Sequence, residues 1–368
     1  MSTLTTCRGR RREPARDPTR RERVSRLAGA AGALLVAGLI VSPAGAAPPE
    51  DVRVREHVEV HRVLIDARVV NPRGDPIEGL GAADFKVLVD GRPAELESVE
   101  WIAGTAPYAE GATPEQAAQT GAPVAPPGRL IVFFFQADFA QVRLRGLMHM
   151  KAKAIEFLRT LEPADRVAVV SFDSHCKLRL DFTNDRGQIT RAIHEAILFG
   201  QAPPIAPGPF PSLAAGFDQA AARRAASPEA GLLVTAEALK PLPGAKSLAF
   251  FGWGLGHLAR PWVDMDHAYP AARRALAAGR VSVFAIDVTD ADYHDLELGL
   301  QRVAADTGGF YAKTNLFPGQ AMVRLAGAVA GHYVLVVVRP DVAKGAHAVD
   351  VELARGAGTV LARNSFED

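Results

Sequence analysis

Carboxylates follow three strongly apolar runs of the sequence. These runs have the length and continuity of strands that are buried on both faces of a sheet. If the strands are parallel, their carboxyl ends meet at one edge, where α/β sheets place their ligands. Carboxylate oxygens are the ligands that Mg²⁺ and Mn²⁺ prefer. One hypothesis is therefore a divalent-cation site that draws on Asp138, Asp173, Asp287, Asp290 and Asp292.

A second interpretation of the acidic loop Asp287–Asp295 needs no metal. Aspartate is favoured at helix N-termini, where it accepts hydrogen bonds from backbone N–H groups. The loop also has no glycine at the point where a calcium-binding loop needs its sharp turn. Helix capping is therefore the favoured interpretation of this loop, and cation binding is the alternative.

The pair His175–Cys176 could in principle supply a thiol nucleophile and its base. A lone cysteine is more often a small buried apolar residue. The sequence has no G-x-S-x-G, H-E-x-x-H or P-loop motif, and no G-x-G-x-x-G that follows a strand. We therefore predict a protein that is not an enzyme, and a hydrolase without a recognisable motif is the least favoured of three functions.

Strands and helices alternate from Arg129 onward. The helix after the first apolar run carries Leu144, Leu147, Met148, Ile155 and Leu158 at three- and four-residue spacing. Repeated strand–helix units predict a mostly parallel sheet with helices on both faces. We expect an α/β fold in which residues 129–330 form a doubly wound, mostly parallel, Rossmann-like sheet, flanked by small N- and C-terminal β segments.

Residues 52–103 and 332–366 are the two predicted β segments. The first contains the dense turn signal Asn71–Pro76 and a tight hairpin turn at Asp90-Gly91. Residues 104–128, which are rich in Ala, Pro, Gly, Thr and Gln, have the composition of a linker. Because sheets of few strands are marginal alone, we expect the two segments to pair into one small β-sandwich-like unit.

The first 46 residues have the composition of a secretory signal peptide. Nine arginines precede the charge-free apolar stretch Leu27–Val41, and small residues follow at Ala44–Ala47. An uncleaved membrane anchor is the alternative. Removing residues 1–46 takes the net charge from +1 to −5, which gives no electrostatic reason to expect nucleic-acid binding. We predict an exported protein of the periplasm, the cell surface or the medium.

Five stretches together resemble the von Willebrand factor type A family, and most closely the secreted bacterial VWFA-related proteins. The likeness depends on their order and spacing across residues 58–366. The stretches are Gly79–Val87 with Asp90-Gly91, Arg129–Phe135, Leu161–Phe172, Leu242–Leu248, and Tyr333 with Ala362–Phe366.

The resemblance implies a metal-ion-dependent adhesion site at the end of the first strand and after a later one. In the family, the first strand ends in Asp-x-Ser-x-Ser, and another aspartate follows a later strand. Here Gln136, Asp138 and Ala140 occupy the first motif, and Trp253 within Gly252–Gly254 occupies the later acidic position. A tryptophan cannot ligate a hard cation, so the resemblance implies a degenerate site.

Taken together, these patterns predict an exported adhesion or protein-interaction module that needs no cofactor. Its expected contact residues for a protein partner are Gln136, Asp138, Ala140, Asp173, Gly252, Trp253 and Gly254. Trp253 is either an exposed binding aromatic or a plug in the space of the lost metal, and we favour the plug. The alternative function is ligand binding that depends on Mg²⁺ or Mn²⁺ at the carboxylates named above.

Overall fold

A computed structural model describes residues 62–104, 108–109, 124–125, 127–138, 140–198, 200–259, 262–340 and 342–367. The predicted signal peptide and most of the predicted linker lie outside these described residues. Everything described belongs to one unit of the chain, which begins at Val58. Within this part of the chain, no helix combines the length and the apolar character that crossing a membrane requires.

The described residues contain seventeen strands. Their bounds are β1 Arg62–Val70, β2 Phe85–Val89, β3 Arg92–Ala103, β4 Tyr108–Ala109, β5 Val124–Ala125, β6 Leu130–Gln136, β7 Arg166–Phe172, β8 Cys176–Thr183, β9 Lys246–Gly252, β10 His257–Ala259, β11 Trp262–Asp264, β12 Val281–Asp287, β13 Tyr311–Lys313, β14 Gly331–Val338, β15 Ala346–Leu353, β16 Thr359–Ala362 and β17 Ser365–Glu367.

Seven α-helices lie in the described ranges. They are α1 Gln141–Phe157, α2 Arg186–Ala196, α3 Gln219–Arg224, α4 Pro228–Leu239, α5 Tyr269–Ala278, α6 Glu297–Asp306 and α7 Pro318–Ala330. Side-chain caps start several of them as the sequence suggests. The Asp185 carboxylate accepts from two backbone N–H groups at the start of α2, and Ser227 caps α4.

The first sheet has seven strands in the order β16-β1-β14-β3-β2-β15-β17, and every neighbouring pair is antiparallel. Strand β14 lies between β1 and β3, so that Ile65 faces Leu335 across the ladder. The predicted pairing of the N- and C-terminal β segments is therefore confirmed. The result is a single large sheet rather than a small sandwich-like unit.

This sheet encloses a core of its own. Side chains from its inner face, among them Ile65, Val87, Leu335 and Phe366, pack in one buried cluster. Tyr333 stands at its centre, with its ring against Phe85 and its hydroxyl donating to a backbone carbonyl oxygen. The inner face of this sheet therefore supplies a core of its own, separate from the cores of the other sheet.

The second sheet has six strands in the order β13-β12-β9-β6-β7-β8. Strands β6, β7, β9, β12 and β13 are parallel, whereas β8 runs antiparallel to β7. Helices α4, α5 and α6 pack on one face. Helices α1, α2 and α7 pack on the other. Strands β6, β9 and β12 are buried along their whole length, and β7 is buried after its first residue, as their apolar runs predicted.

The expected fold class is wrong. The terminal strands are not small flanks of a doubly wound parallel sheet, because they form an antiparallel sheet with more strands than the other. The second sheet is also mixed. Only the residues Asp173–His175 separate β7 from β8, and a connection this short can join antiparallel strands but cannot make the crossover that parallel strands need.

Candidate functional site

Four parallel strands bring the predicted site residues to one edge of the six-stranded sheet. Gln136 ends β6, Gly252 ends β9 and Asp287 ends β12, while Asp173 directly follows β7. The ladder sets Asp287 beside Gly252, and Gln136 beside Phe172. We call this edge, with the loops that leave it, the carboxyl edge.

Gln136 joins two loops of the carboxyl edge. Its side chain is buried, and its Oε1 accepts from the backbone N–H groups of Trp253 (2.9 Å) and Gly254 (3.3 Å). Gly252 has no room for a side chain, because a Cβ there would lie 2.6 Å from Gln136 Oε1. The glutamine oxygen is therefore occupied as a hydrogen-bond acceptor inside the protein.

Asp138, Arg143 and Trp253 form a stack at the same place. Asp138 Oδ1 accepts from the Ala140 backbone N–H at 2.7 Å, and Oδ2 pairs with the Arg143 guanidinium. That guanidinium lies 3.6 Å from the centroid of the Trp253 ring, which is cation–π geometry. Trp253 is half-buried and packs on the core beneath, and its buried Nε1 has no hydrogen-bond partner among the described residues.

These residues do not fit the Mg²⁺ or Mn²⁺ that the resemblance implies at this position. A hard cation needs several free oxygen ligands. The Gln136 oxygen already accepts two hydrogen bonds, Asp138 is paired with Arg143, and an indole stands at the later acidic position.

Asp173 is held inside its own turn. Its carboxylate is paired with the Lys177 ammonium and accepts from the backbone N–H and hydroxyl of Ser174. Burial alone would raise the pKa of Asp173, but the hydrogen bonds from Lys177 and Ser174 outweigh it and hold that pKa below its usual value. The side chain is thus an internal acceptor rather than a free ligand.

The turn Asp173–His175 resembles a serine hydrolase triad only in composition. Ser174 Oγ lies 3.0 Å from His175 Nδ1, and an Asp173 carboxylate oxygen lies 4.0 Å from the same nitrogen. A triad needs the serine and the carboxylate on opposite ring nitrogens, so this ring cannot relay a proton between them. Burial raises the pKa of the neighbouring Cys176 to about 12, which disfavours a thiolate.

The acidic loop after β12 supplies a third group of contacts. Asp290 pairs with Arg145 at 2.9 Å, and Asp292 accepts from the Asn315 amide at 3.0 Å. Asp287 is buried, and its Oδ2 lies 2.7 Å from His294 Nε2 and 2.8 Å from the Tyr311 hydroxyl.

Three groups with metal-ligating atoms converge around Asp287. The atoms of Asp287, His294 and Glu297 lie within 4.8 Å of one another. The chain's own groups also satisfy them, since Lys313 Nζ lies 2.6 Å from a Glu297 oxygen. Burial and the two carboxylates raise the pKa of Tyr311 far above its usual value, so its hydroxyl stays a donor.

Of the five carboxylates predicted as an alternative cation site, Asp287 alone belongs to this convergent group among the described residues. The sequence interpretation missed His294, Glu297 and Tyr311 as its neighbours. The H-x-x-E spacing of His294 and Glu297, just after a strand that ends in aspartate, is the signal that could have identified them. Metal binding at this group therefore stays a prediction.

Exposed apolar side chains crowd the loops that leave the carboxyl edge. Trp262 in the hairpin after β9, Tyr293 after β12 and Phe317 after β13 are each about 60% exposed, at 59%, 61% and 61%. Leu258 and Leu316 in the same loops are also exposed. Half of the large apolar side chains that are exposed among the described residues therefore lie in these loops.

A large cavity lies elsewhere in the described residues. It has a volume of about 950 Å³ and is lined by α1, α7 and the turn Asn71–Gly74. None of the predicted site residues lines it.

No protein-family model matches the chain, and no curated protein matches it. Solved structures similar to it include a von Willebrand factor type A protein from Catenulispora acidiphila, with 10% identity and a TM-score of 0.40 over 79% of this chain and 74% of that one. The similar structures thus include a von Willebrand A protein, at low identity.

Two further structures are similar at the same level. An aerotolerance-related membrane protein from Bacteroides fragilis has 12% identity and a TM-score of 0.39 over 55% of this chain and 98% of that one. The three N-terminal domains of the pili tip protein Mfa5 from Porphyromonas gingivalis have 10% identity and a TM-score of 0.37, over 71% of this chain and 54% of that one. Likeness at this level says nothing about what the chain binds.

Proposed function

We propose that the protein is an exported, non-enzymatic interaction module that binds a protein partner through the carboxyl edge without a bound metal. The observation that carries the proposal is the stack of Asp138, Arg143 and Trp253, in which an arginine of the chain neutralises the carboxylate. Asp173 and Asp290 are paired with Lys177 and Arg145 in the same way.

The residue types in and near the stack are those that are typical of protein–protein interfaces. Tryptophan, tyrosine and arginine dominate the binding energy of protein interfaces, and apolar groups around them exclude water. Arg143 is 31% exposed over the Trp253 ring, within reach of a partner. Trp262, Tyr293 and Phe317 are exposed on other loops that leave the same edge. Export rests on the composition of residues 1–46, and adhesion is one form that such binding takes.

Affinity capture in the presence of a chelator tests this function. Extracts of the source cells, including the envelope fraction, would be passed over the wild type and the triple variant Trp262→Ser, Tyr293→Ser, Phe317→Ser in EDTA. The matched control is Phe210→Ser, an aromatic of similar exposure (63%) outside these loops. We expect a protein that the wild type and the control retain and the triple variant loses. Equal capture by all three proteins would contradict the proposal. Capture by the wild type that occurs only when EDTA is left out would also contradict it.

A second candidate function is cation-dependent binding at Asp287, His294 and Glu297. The convergence of their ligating atoms within 4.8 Å favours it. An imidazole with two carboxylates suits Mn²⁺ or Zn²⁺. Against it, Lys313 and Tyr311 already bind the two carboxylates.

Titration with Mn²⁺ and Zn²⁺ separates the two candidates. If the second is correct, wild-type protein binds one ion saturably, and His294→Ala abolishes binding while His149→Ala, at an exposed histidine of α1, does not. If no ion binds, or both variants bind equally, the metal candidate fails.

A further inference from the structure

The junction between the two sheets contains a buried group of positive charges. Arg68 of β1, Arg280 before β12 and Arg363 after β16 surround the single carboxylate of Asp66. Asp66 accepts two hydrogen bonds from Arg280, including one from Nε at 2.9 Å. The other two guanidiniums donate to neutral oxygens, the Ser282 hydroxyl at 2.7 Å and the backbone carbonyl of Leu64.

Three guanidiniums therefore share one carboxylate. Arg68 is only 3% exposed, and the Nε atoms of Arg68 and Arg363 are buried without a hydrogen-bond partner among the described residues. Beside them, burial lowers the pKa of His332 to about 4, so this ring adds no charge at neutral pH. Buried charges are normally paired, so an excess of this kind calls for an anion that the described residues do not supply.

A cavity opens onto two of these arginines, Arg280 and Arg363. Its volume is about 540 Å³, which is within the range of small-molecule sites. Arg280 and Arg363 lie at its inner end, where a small adjoining recess reaches Asp66 and Ser282. Strand β1, helix α5 and the C-terminal tail form the walls, which also carry Arg273, Arg274 and Arg62, the last of these paired with Glu97.

The carboxylates of the cavity are already engaged. Asp306 accepts from the Tyr269 hydroxyl at 2.7 Å and from the Asn364 amide at 2.9 Å. Glu367 lies 4.0 Å from Arg274. The remaining wall, at Val63, Leu64 and Phe366, is apolar. Guanidinium groups against a partly apolar wall match a molecule that combines an anionic group with a carbon skeleton.

We propose that this cavity binds a small organic oxyanion, carried by a phosphate ester or a carboxylate. The planar fork of a guanidinium donates two parallel hydrogen bonds to such groups, which gives both energy and orientation. The proposal is independent of partner binding at the carboxyl edge, since it uses other residues and another surface.

Calorimetric titration of the full chain tests it. Inorganic phosphate, glycerol 3-phosphate and citrate would be added at constant ionic strength, with chloride as the reference anion. We expect saturable binding of at least one of the three. Binding of glycerol 3-phosphate alone identifies a phosphate ester as the ligand chemistry, and binding of citrate alone identifies a carboxylate.

Two charge-removing variants locate the site. The double variant Arg273→Gln, Arg274→Gln is expected to weaken binding at least tenfold, because two of the five guanidiniums of the cavity are lost. Arg224→Gln removes an exposed arginine of α3 and should leave affinity unchanged. If the double variant does not fold, Arg274→Gln alone, whose side chain is 55% exposed, replaces it. No saturable heat with any of the anions, or equal weakening by Arg224→Gln, would overturn the proposal.

Discussion

Carboxylates and cations are paired one to one at the carboxyl edge, but not at the junction between the two sheets. At the carboxyl edge, Asp138, Asp173 and Asp290 each pair with one cation of the chain. At the junction, three guanidiniums share Asp66 in the interior. These three matched pairs leave no charge for an ion to neutralise, so the binding that we propose for the carboxyl edge relies on shape and apolar contact. The unmatched group both attracts an anion and makes stability depend on one carboxylate.

The largest effect is expected from removing that carboxylate. Asp66→Asn leaves buried guanidiniums without a counter-charge, which should lower the free energy of unfolding by about 3–5 kcal/mol. The matched control is Glu97→Gln, which breaks the exposed pair between Glu97 and Arg62 in the same sheet and should change stability far less, because solvent screens that pair. Urea denaturation measures both. Equal losses would show that burial does not distinguish these pairs.

The junction should also make the free energy of unfolding fall at acid pH. The pKa of His332 is lowered by burial from 6.5 to about 4 in the folded state. Between these values the unfolded chain binds a proton that the folded chain excludes, so stability is full above pH 6.5 and falls as pH drops toward 4. The loss should be on the order of 3 kcal/mol. His332→Gln should reduce this fall in the free energy of unfolding, and His149→Gln should not. Denaturation at several pH values measures it. A pH dependence that His332→Gln leaves unchanged would refute the assignment to His332.

A smaller effect is expected at the carboxyl edge. Gln136→Leu removes the acceptor for the backbone N–H groups of Trp253 and Gly254, which should cost about 2 kcal/mol of unfolding free energy. Gln136→Glu keeps an acceptor oxygen and should lose less. The exposed Gln141→Ala is the control. A loss from Gln136→Leu no larger than that of the control would mean that the glutamine does not hold the two loops together.

The smallest effect concerns the stack itself. A double-mutant cycle of Arg143→Gln and Trp253→Leu should give a coupling energy of about 0.5–1 kcal/mol, the range of a partly exposed cation–π contact. Chemical denaturation of the four proteins measures it. A coupling energy indistinguishable from zero would remove the stack from the account of this edge.

Parts of the fold that depend on local pattern could be predicted from the sequence. Strands β6, β7, β9 and β12 are apolar runs that the sequence itself indicates as buried strands. Strand β8 was not predicted, because it carries the polar Lys177 and Arg179, which its partners bury. The size of the antiparallel sheet was also missed, since pairing between segments more than 200 residues apart leaves no periodic signal.

In the candidate site, the positions of residues could be predicted but their contacts could not. The position of Gln136, Asp138 and Asp287 at one edge follows from their place at strand ends. Their partners do not follow, because nothing in the sequence assigns Arg143 to Asp138 or Tyr311 to Asp287. The cluster of charges at the junction could not be predicted at all. Asp66 and Arg280 are 214 residues apart and meet only when both sheets have formed.

Calorimetric titration of the chain with Mg²⁺, Mn²⁺ and Ca²⁺ tests the central claim most directly, because that claim is metal-independent binding at the carboxyl edge. With Asp138 neutralised by Arg143, we predict no saturable heat at millimolar metal and no shift in the thermal midpoint. Saturable binding that Asp138→Ala abolishes, and that His294→Ala leaves intact, would contradict the account.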